Sequence, residues 1–228
     1  KYIFNDSSLV TSTNLNIDRI NSILFTNIDE KIIGIFSAKI PDQSIEGSIE
    51  LFEEKITLHS NISVNMDEII NYGQYLNLVG KESFKIKLVI QDKVSLELES
   101  ELSDTLIKSN INELKKNKNE NLKTKIFISD ISLPTYSIEN NKFKAFIDNE
   151  NNGYFSLGSS FDDELKQLNF SDGFYIYLEL NDLNIDNILI ENDNQNTTNL
   201  KFVKLKIKEL DFFDNIYTDQ ILSLIHIW

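Results

Sequence analysis

Two adjacent acid pairs, Glu53-Glu54 and Asp162-Asp163, are the residues of this chain whose type and proximity could support general acid–base chemistry. Opposed carboxylates of that kind cleave glycosidic bonds when they flank a cleft. Both pairs, however, sit where a turn or a helix start favours acids, and a chain with 36 acidic residues produces such neighbours readily. Only two histidines occur. His59 falls on the polar phase of an alternating segment and His226 lies in the last turn's worth of sequence, so neither a His-based metal cluster nor a Ser-His-Asp triad is expected. The Asp and Asn residues between 181 and 194 lack the regular ligand spacing of a calcium loop. Gly153 and Gly158 flank a short apolar segment as turn residues, and there is no Gly-rich phosphate cradle. With no cysteine, the chain has neither disulfides nor thiolate chemistry. No catalytic residue, no metal site and no cofactor are expected.

Composition sets further bounds. The chain has 228 residues, 41% hydrophobic and 25% charged, in the range of folded proteins. Asn, Ile and Lys are abundant, Arg19 is the one arginine, and only 7 Gly and 2 Pro occur, a bias that an AT-rich genome explains. The net charge of −14 would repel a phosphate backbone, and no basic stripe interrupts it, so nucleic acid is not an expected partner. No apolar run reaches the roughly 18–20 residues that cross a bilayer as a helix.

The elements that would have to position any site are strands. "EGSIELFEEKITLHSNISVN" places Ile49 and Leu51, then Ile56, Leu58, Ile62 and Val64 in one phase, with His59 in the other. "ESFKIKLVIQDKVSLELESEL" repeats the plan with Phe84, Ile86, Leu88 and Ile90, then Val94, Leu96 and Leu98, while Lys85, Lys87, Glu97 and Glu99 alternate with them. Leu122, Ile126 and Ile128 continue it, followed by Phe174, Ile176, Leu178 and Leu180, and by Val203, Leu205 and Ile207 alternating with Lys204, Lys206 and Lys208. Such a series is read as antiparallel strands, each wet on one face. Helices are few: 65–78, with Asn65 as N-cap and Ile69, Ile70, Tyr72, Leu76 and Leu78 as an apolar side, and one turn or two at 162–168. Segments 112–121 and 191–199 read as polar loops, and Leu133-Pro134 as a break.

Periodicity leaves two accounts open. The strands could close on a second sheet as an ordinary β-sandwich, a surface-adhesion or structural repeat module with a dry core. They could also form an open sheet whose apolar face carries lipid. A sandwich usually has frequent turn signals with Gly and Pro, in which this chain is poor.

The order of segments resembles the YhdP branch of the AsmA-like family. The stretch from Met66 to Ser129 is similar to that family's recurrent block, in which a short helix precedes a loop, a strand pair, a "SDL-G-x-x-x-x-L-P" segment, a Lys-rich stretch and another strand. Ser103-Asp104-Thr105-Leu106 and Asn112-Glu113-Leu114-Lys115-Lys116 occupy those places, with the block's Gly and Pro absent. Leu180, Leu183, Ile185 and Ile188 fit the "L-x-x-L-x-I/L-x-x-apolar" phrase of the next block, and the likeness spans roughly residues 30–220. It implies a mainly β fold, an elongated, curved antiparallel sheet (groove-like, β-taco type) with one or two short helices. It also implies a periplasmic segment of a Gram-negative envelope protein, tethered to the inner membrane by an N-terminal helix not present in this fragment. The function implied is non-enzymatic conduction of phospholipid between inner and outer membrane. Partners would be phospholipid acyl chains and membrane components at the ends of the full-length protein.

Residues 1–221 are accordingly read as one continuous β-rich fragment of a larger repeat region. The residues expected to line its groove or core are Ile56, Leu58, Ile62, Val64, Phe84, Ile86, Leu88, Val94, Leu96, Leu98, Val203, Leu205 and Ile207. The last seven residues, Leu222–Trp228, read "LSLIHIW". They match the translation of a transposase end sequence used in sequencing libraries and are read as an adapter artefact, a natural apolar tail being the alternative.

Overall fold

β-branched and aromatic residues at every second position favour extended backbone, and the computed structural model is accordingly a mainly β protein with very few helices. It describes residues 2–10, 16–26, 31–40, 43–68, 76–168, 170–184, 200–212 and 215–225. The chain divides into two compact units, Lys1–Ser109 with Lys116–Thr135, and Asn110–Lys115 with Tyr136–Trp228.

In the first unit, β1 (Tyr2–Val10), β2 (Asn16–Thr26), β3 (Ile32–Ile40), β4 (Gln43–Phe52) and β5 (Lys55–Asn65) pair in chain order. The order continues through β7 (Lys81–Ile90), β8 (Val94–Ser100) and β10 (Thr124–Ser129), and these pairings are all antiparallel. The sheet does not close into a barrel. β6 (Leu76–Val79) and β9 (Leu106–Ser109) lie outside it and pair with each other. Each is an insertion: β6 lies between β5 and β7, and β9 between β8 and β10. Gly80 joins β6 directly to β7 at φ 130, and a Cβ there would stand 2.4 Å from the Asp104 carbonyl oxygen, so glycine is required by both conformation and space.

The reading of 65–78 as a helix is corrected. Asn65 ends β5, Met66–Glu68 form a single 3-10 turn, and Leu76–Leu78 belong to β6. Ile69, Ile70 and Tyr72 lie outside the described residues. Asn65 still uses its side chain locally, donating from Nδ2 to Glu68 Oε1 at 2.8 Å. Pairing with β9 outweighs helical propensity at Leu76–Val79, because a strand there buries Leu78 on the core.

In the second unit, β11 (Thr135–Glu139), β12 (Phe143–Ile147) and β13 (Gly153–Leu157) form an antiparallel meander, and β15 (Leu200–Phe212) and β16 (Asn215–Ile225) an antiparallel pair. Between them stands β14 (Phe174–Asn184), parallel to both β13 and β15. The antiparallel reading thus holds through the first unit and over much of the second, with two parallel pairings added. Parallel neighbours need crossovers of about a dozen residues or more. The stretch 158–173 provides one, carrying the single turn α1 (Asp162–Leu165) expected at 162–168. The second, 185–199, lies outside the described residues. Gly153 and Gly158 bracket β13 at φ 149 and 84 as turn residues. At Leu205, β15 pairs with Leu222 of β16.

Candidate functional site

Register turns the sequence phases into rows that run from strand to strand. In the first unit the partners Leu24, Gly34, Ile49, Leu58, Leu88, Leu96 and Ile128 follow one another across seven strands. At about 4.8 Å per strand this row extends roughly 29 Å. Beside it runs a second row, Ile32, Leu51, Ile56, Ile90 and Val94. On the other side lies a third, Phe36, Gly47, Ser60, Ile86, Leu98 and Ile126. The opposite face is charged: Lys85, Glu99 and Lys125 are cross-strand neighbours, as are Lys87 and Glu97. Lys125 Nζ stands 2.6 Å from Glu99, and that bond holds the Glu99 carboxyl below the usual carboxylate range. His59 is exposed on this wet face, as its phase requires.

One margin of the apolar face is covered by the chain itself. Met66, Leu78, Leu102, Ile107 and Leu122 close over Phe84, forming a cluster against which Ile62, Val64, Leu76, Leu98 and Ile126 pack. Phe84 is only 3% exposed there. Glu82, in phase with Phe84, ends the apolar run beneath this cap. Its Oε1 accepts from Ser100 Oγ at 2.9 Å, and its Oε2 accepts from the Asp104 backbone N–H at 3.0 Å and Thr105 Oγ1 at 3.2 Å. A buried carboxylate is tolerable when its lone pairs are so occupied. Lys116, inside the segment read as a polar loop, is buried as well, its Nζ donating to the carbonyls of Thr105 at 2.7 Å and Asn117 at 2.9 Å.

Beyond the cap the rows are bare of a second sheet: among the described residues the one other sheet of this unit is the β6–β9 pair. Ile56, Leu58, Ile86, Leu88, Val94 and Leu96 are half-buried, whereas Leu24 and Phe36 on the same rows are buried. The expected lining residues therefore split in two. Phe84, Ile62, Val64 and Leu98 belong to the capped core, and the other six form the open part of the face. Leu24, Gly34, Ile49, Leu51, Ile90 and Ile128 complete the rows; Gly34 and Leu24 escape the alternation rule because a glycine carries no side-chain signal and β2 has register shifts.

The second unit repeats the plan on one face and departs from it on the other. Ile138, Ala145, Phe155, Ile176 and Val203 form one apolar row, and Phe143, Leu157, Leu178, Leu205 and Leu222 the next. Val203 and Leu205 are half-buried; Ile207, paired with Leu180, is fully buried. On the reverse face, where alternation implies water, the crossover packs a core of Phe161, Leu165 and Tyr177 with Tyr154, Phe170, Tyr175 and Phe202. Phe161 and Tyr177 lie 5.4 Å apart, and the Lys204 ammonium stands 5.5 Å over the Phe161 ring. Ion pairs fasten the crossover to the sheet: Lys204–Glu164 at 2.6 Å, Lys144–Asp162 at 2.8 Å and Lys201–Asp172 at 2.8 Å. Ser160 donates to Glu179 and, with Lys206 beside it, keeps that carboxyl low.

Neither acid pair is arranged as a catalytic dyad. Glu53 and Glu54 form the exposed β4–β5 turn, with Glu53 at φ 52. Asp162 is bound to Lys144 and Asp163 to Lys166. No group of three or more metal-ligating side chains occurs among the described residues, and no helix there is long and apolar enough to cross a membrane, which says nothing of a β-barrel.

The tyrosines of the crossover core yield a titration expectation. The Asp172 carboxylate, accepting from Tyr175 Oη at 2.6 Å, pushes that phenol up to about 12, and burial pushes Tyr177 up to about 12 as well. An ordinary phenol titrates near 10. The folded state thus holds these protons more tightly, so their contribution to stability is intact below about pH 10 and is lost as pH rises through 12. Ultraviolet titration of tyrosinate is expected to show a late step that Tyr175→Phe and Tyr177→Phe together remove. Simultaneous ionisation of all eight tyrosines in the folded chain would contradict this.

Comparisons with protein-family models, with curated proteins and with solved structures gave no match for this chain.

Proposed function

We propose that this chain is a non-enzymatic, lipid-shielding segment of an AsmA-like envelope protein of the YhdP type. In this reading acyl chains lie along the apolar rows as phospholipid passes across the periplasm between the inner and outer membranes. The observation that carries the reading is the apolar face itself. Row after row of aliphatic side chains runs across the strands in each unit, and over the open part of the first unit's face the described residues supply no second sheet.

The energetics favour such a ligand. Exposing one methylene to water costs roughly 0.8 kcal/mol, so about fifteen cost on the order of 12 kcal/mol. A track of near-equivalent Ile, Leu and Val contacts offsets most of that while offering no deep minimum in which a lipid would lodge. Glu82, a carboxylate in phase with the track, is sealed under the cap with its acceptors filled, so it puts no charge in the path.

The rival reading, a β-repeat module with a closed dry core, is favoured by the capped cluster around Phe84. It requires that same cover over Leu58, Leu88 and Leu96. Photocrosslinking from Leu88 and Leu96 to phospholipid distinguishes the two.

A further inference from the structure

We propose that the second unit holds one internal water molecule beneath its crossover, bridging the Ser156 hydroxyl and the Asp162 carboxylate. The site lies on the reverse face of the sheet, so it does not depend on what occupies the apolar rows.

Register and two contacts bring the groups together. Lys144, Ser156, Tyr177 and Lys204 are successive partners across β12, β13, β14 and β15. They share the reverse face, on which the crossover packs. With strands about 4.8 Å apart, Lys144 and Tyr177 flank Ser156 on either side. The crossover reaches down to both flanks. Lys144 Nζ donates to Asp162 Oδ2 at 2.8 Å, and the Phe161 ring centroid stands 5.4 Å from that of Tyr177. Phe161 and Asp162 are adjacent, with Cα atoms about 3.8 Å apart, so this dipeptide roofs the position between Lys144 and Tyr177. Ser156 lies there, 0% exposed. The roof is anchored at its start. Gly158, at φ 84, turns the chain out of β13, and the Ser160 backbone N–H donates to Glu179 Oε2 at 3.2 Å.

Two polar atoms under that roof lack protein partners. Ser156 Oγ and Asp162 Oδ1 are both closed to solvent, and neither has a hydrogen-bond partner among the described residues, so they do not bond each other. Nearly all buried polar atoms of folded proteins are satisfied, by protein or by ordered water. The chemistry of the two groups selects the occupant. A carboxylate oxygen only accepts, whereas a serine hydroxyl donates or accepts. A calcium or magnesium ion would need about six oxygen ligands and would sit against the Lys144 ammonium. An anion would face the carboxylate. A neutral molecule that both donates and accepts fits, and the closed roof limits it to the smallest. Water donates to Asp162 Oδ1 and accepts from Ser156 Oγ, which meets the two-contact minimum of buried waters. The bridge ties β13 to the crossover between the ion pairs Lys144–Asp162 and Lys204–Glu164.

A crystal structure of the whole chain and urea unfolding of its variants test the site. An ordered water within about 3.2 Å of both Ser156 Oγ and Asp162 Oδ1 is expected. Ser156→Ala is expected to lower the folding equilibrium constant about fivefold, because the water and Asp162 each lose part of their bonding. Were Ser156 an unsatisfied hydroxyl with no water, its removal would relieve a buried polar group and raise that constant instead. Asp162→Ala also breaks the pair with Lys144, so it is read in a double-mutant cycle with Ser156→Ala. The double variant is expected to lose less than the product of the two single effects, since either substitution breaks the same bridge. Absence of the water, a Ser156→Ala variant at least as stable as the unmodified chain, or strictly multiplicative effects would each overturn the site.

Discussion

Phe84→Ala is expected to destabilise the first unit by about 3–5 kcal/mol, the range for removing a buried aromatic ring from a packed core. Phe84 is almost wholly buried, and five residues from four separate segments converge on it. The cavity left behind would also loosen the β6–β9 pair, which has no other sheet to hold it. Leu88→Ala, two rows toward the turns, provides the contrast. Its side chain is half-buried, with no second sheet over it among the described residues of this unit, so less transfer energy is at stake and the expected loss is roughly half as large or less. Urea unfolding of the two variants, read through their midpoints, checks the difference. Equal losses would mean that Leu88 is covered in solution as Phe84 is, and the open part of the track would not exist.

Leu88→Glu separates stability from ligand retention. In an open track the new carboxylate reaches water with a modest shift of side chain, so the chain should fold with a small loss of stability. An acyl chain lying on the Leu58–Leu88–Leu96 row would then have to pass a charge that costs several kcal/mol to desolvate. Phospholipid retained after vesicle incubation is expected to fall by about tenfold or more, which corresponds to only about 1.4 kcal/mol. In a closed core the same substitution would bury an unpaired charge and unfold the unit. Circular dichroism and lipid mass spectrometry on one sample tell these apart: a folded, lipid-depleted chain supports the track, and an unfolded chain supports the closed core.

Alternation made the strands legible, because a period of two leaves few other backbones for Phe84 through Leu98 or Val203 through Ile207. It also placed His59, Lys85 and Lys87 on wet positions, where they are exposed. What it could not carry was anything that depends on a distant partner. Leu76–Val79 looks helical beside Asp67 and Glu68 until β9, some thirty residues away, is there to pair with it. Glu82 and Lys116 are the residues that composition most strongly sends to the surface, yet both are buried. Three donors reach Glu82 from β8 and the segment after it, and two backbone carbonyls receive the Lys116 ammonium.

Strand direction was hidden in the same way. β14 alternates as an antiparallel strand would, and only the length of the crossovers on either side signals parallel pairing. The aromatic residues Tyr175, Tyr177 and Phe202, out of phase with the apolar rows, were the one available sign that the reverse face of the second unit is covered too. For the candidate site, phase groups the expected lining positions into the cross-strand rows that the register shows. It did not distinguish the part under the cap from the part left open, since both obey the same alternation.

The most direct measurement is site-specific photocrosslinking to phospholipid, with a photoreactive residue placed in turn at Leu88, Leu96, Lys87 and Glu97. These four alternate along one hairpin, Leu88 opposite Leu96 on the apolar face and Lys87 opposite Glu97 on the charged face. The expected result is lipid adducts at Leu88 and Leu96 and none at Lys87 and Glu97. Adducts at Lys87 or Glu97 with none at Leu88 or Leu96 would contradict the account.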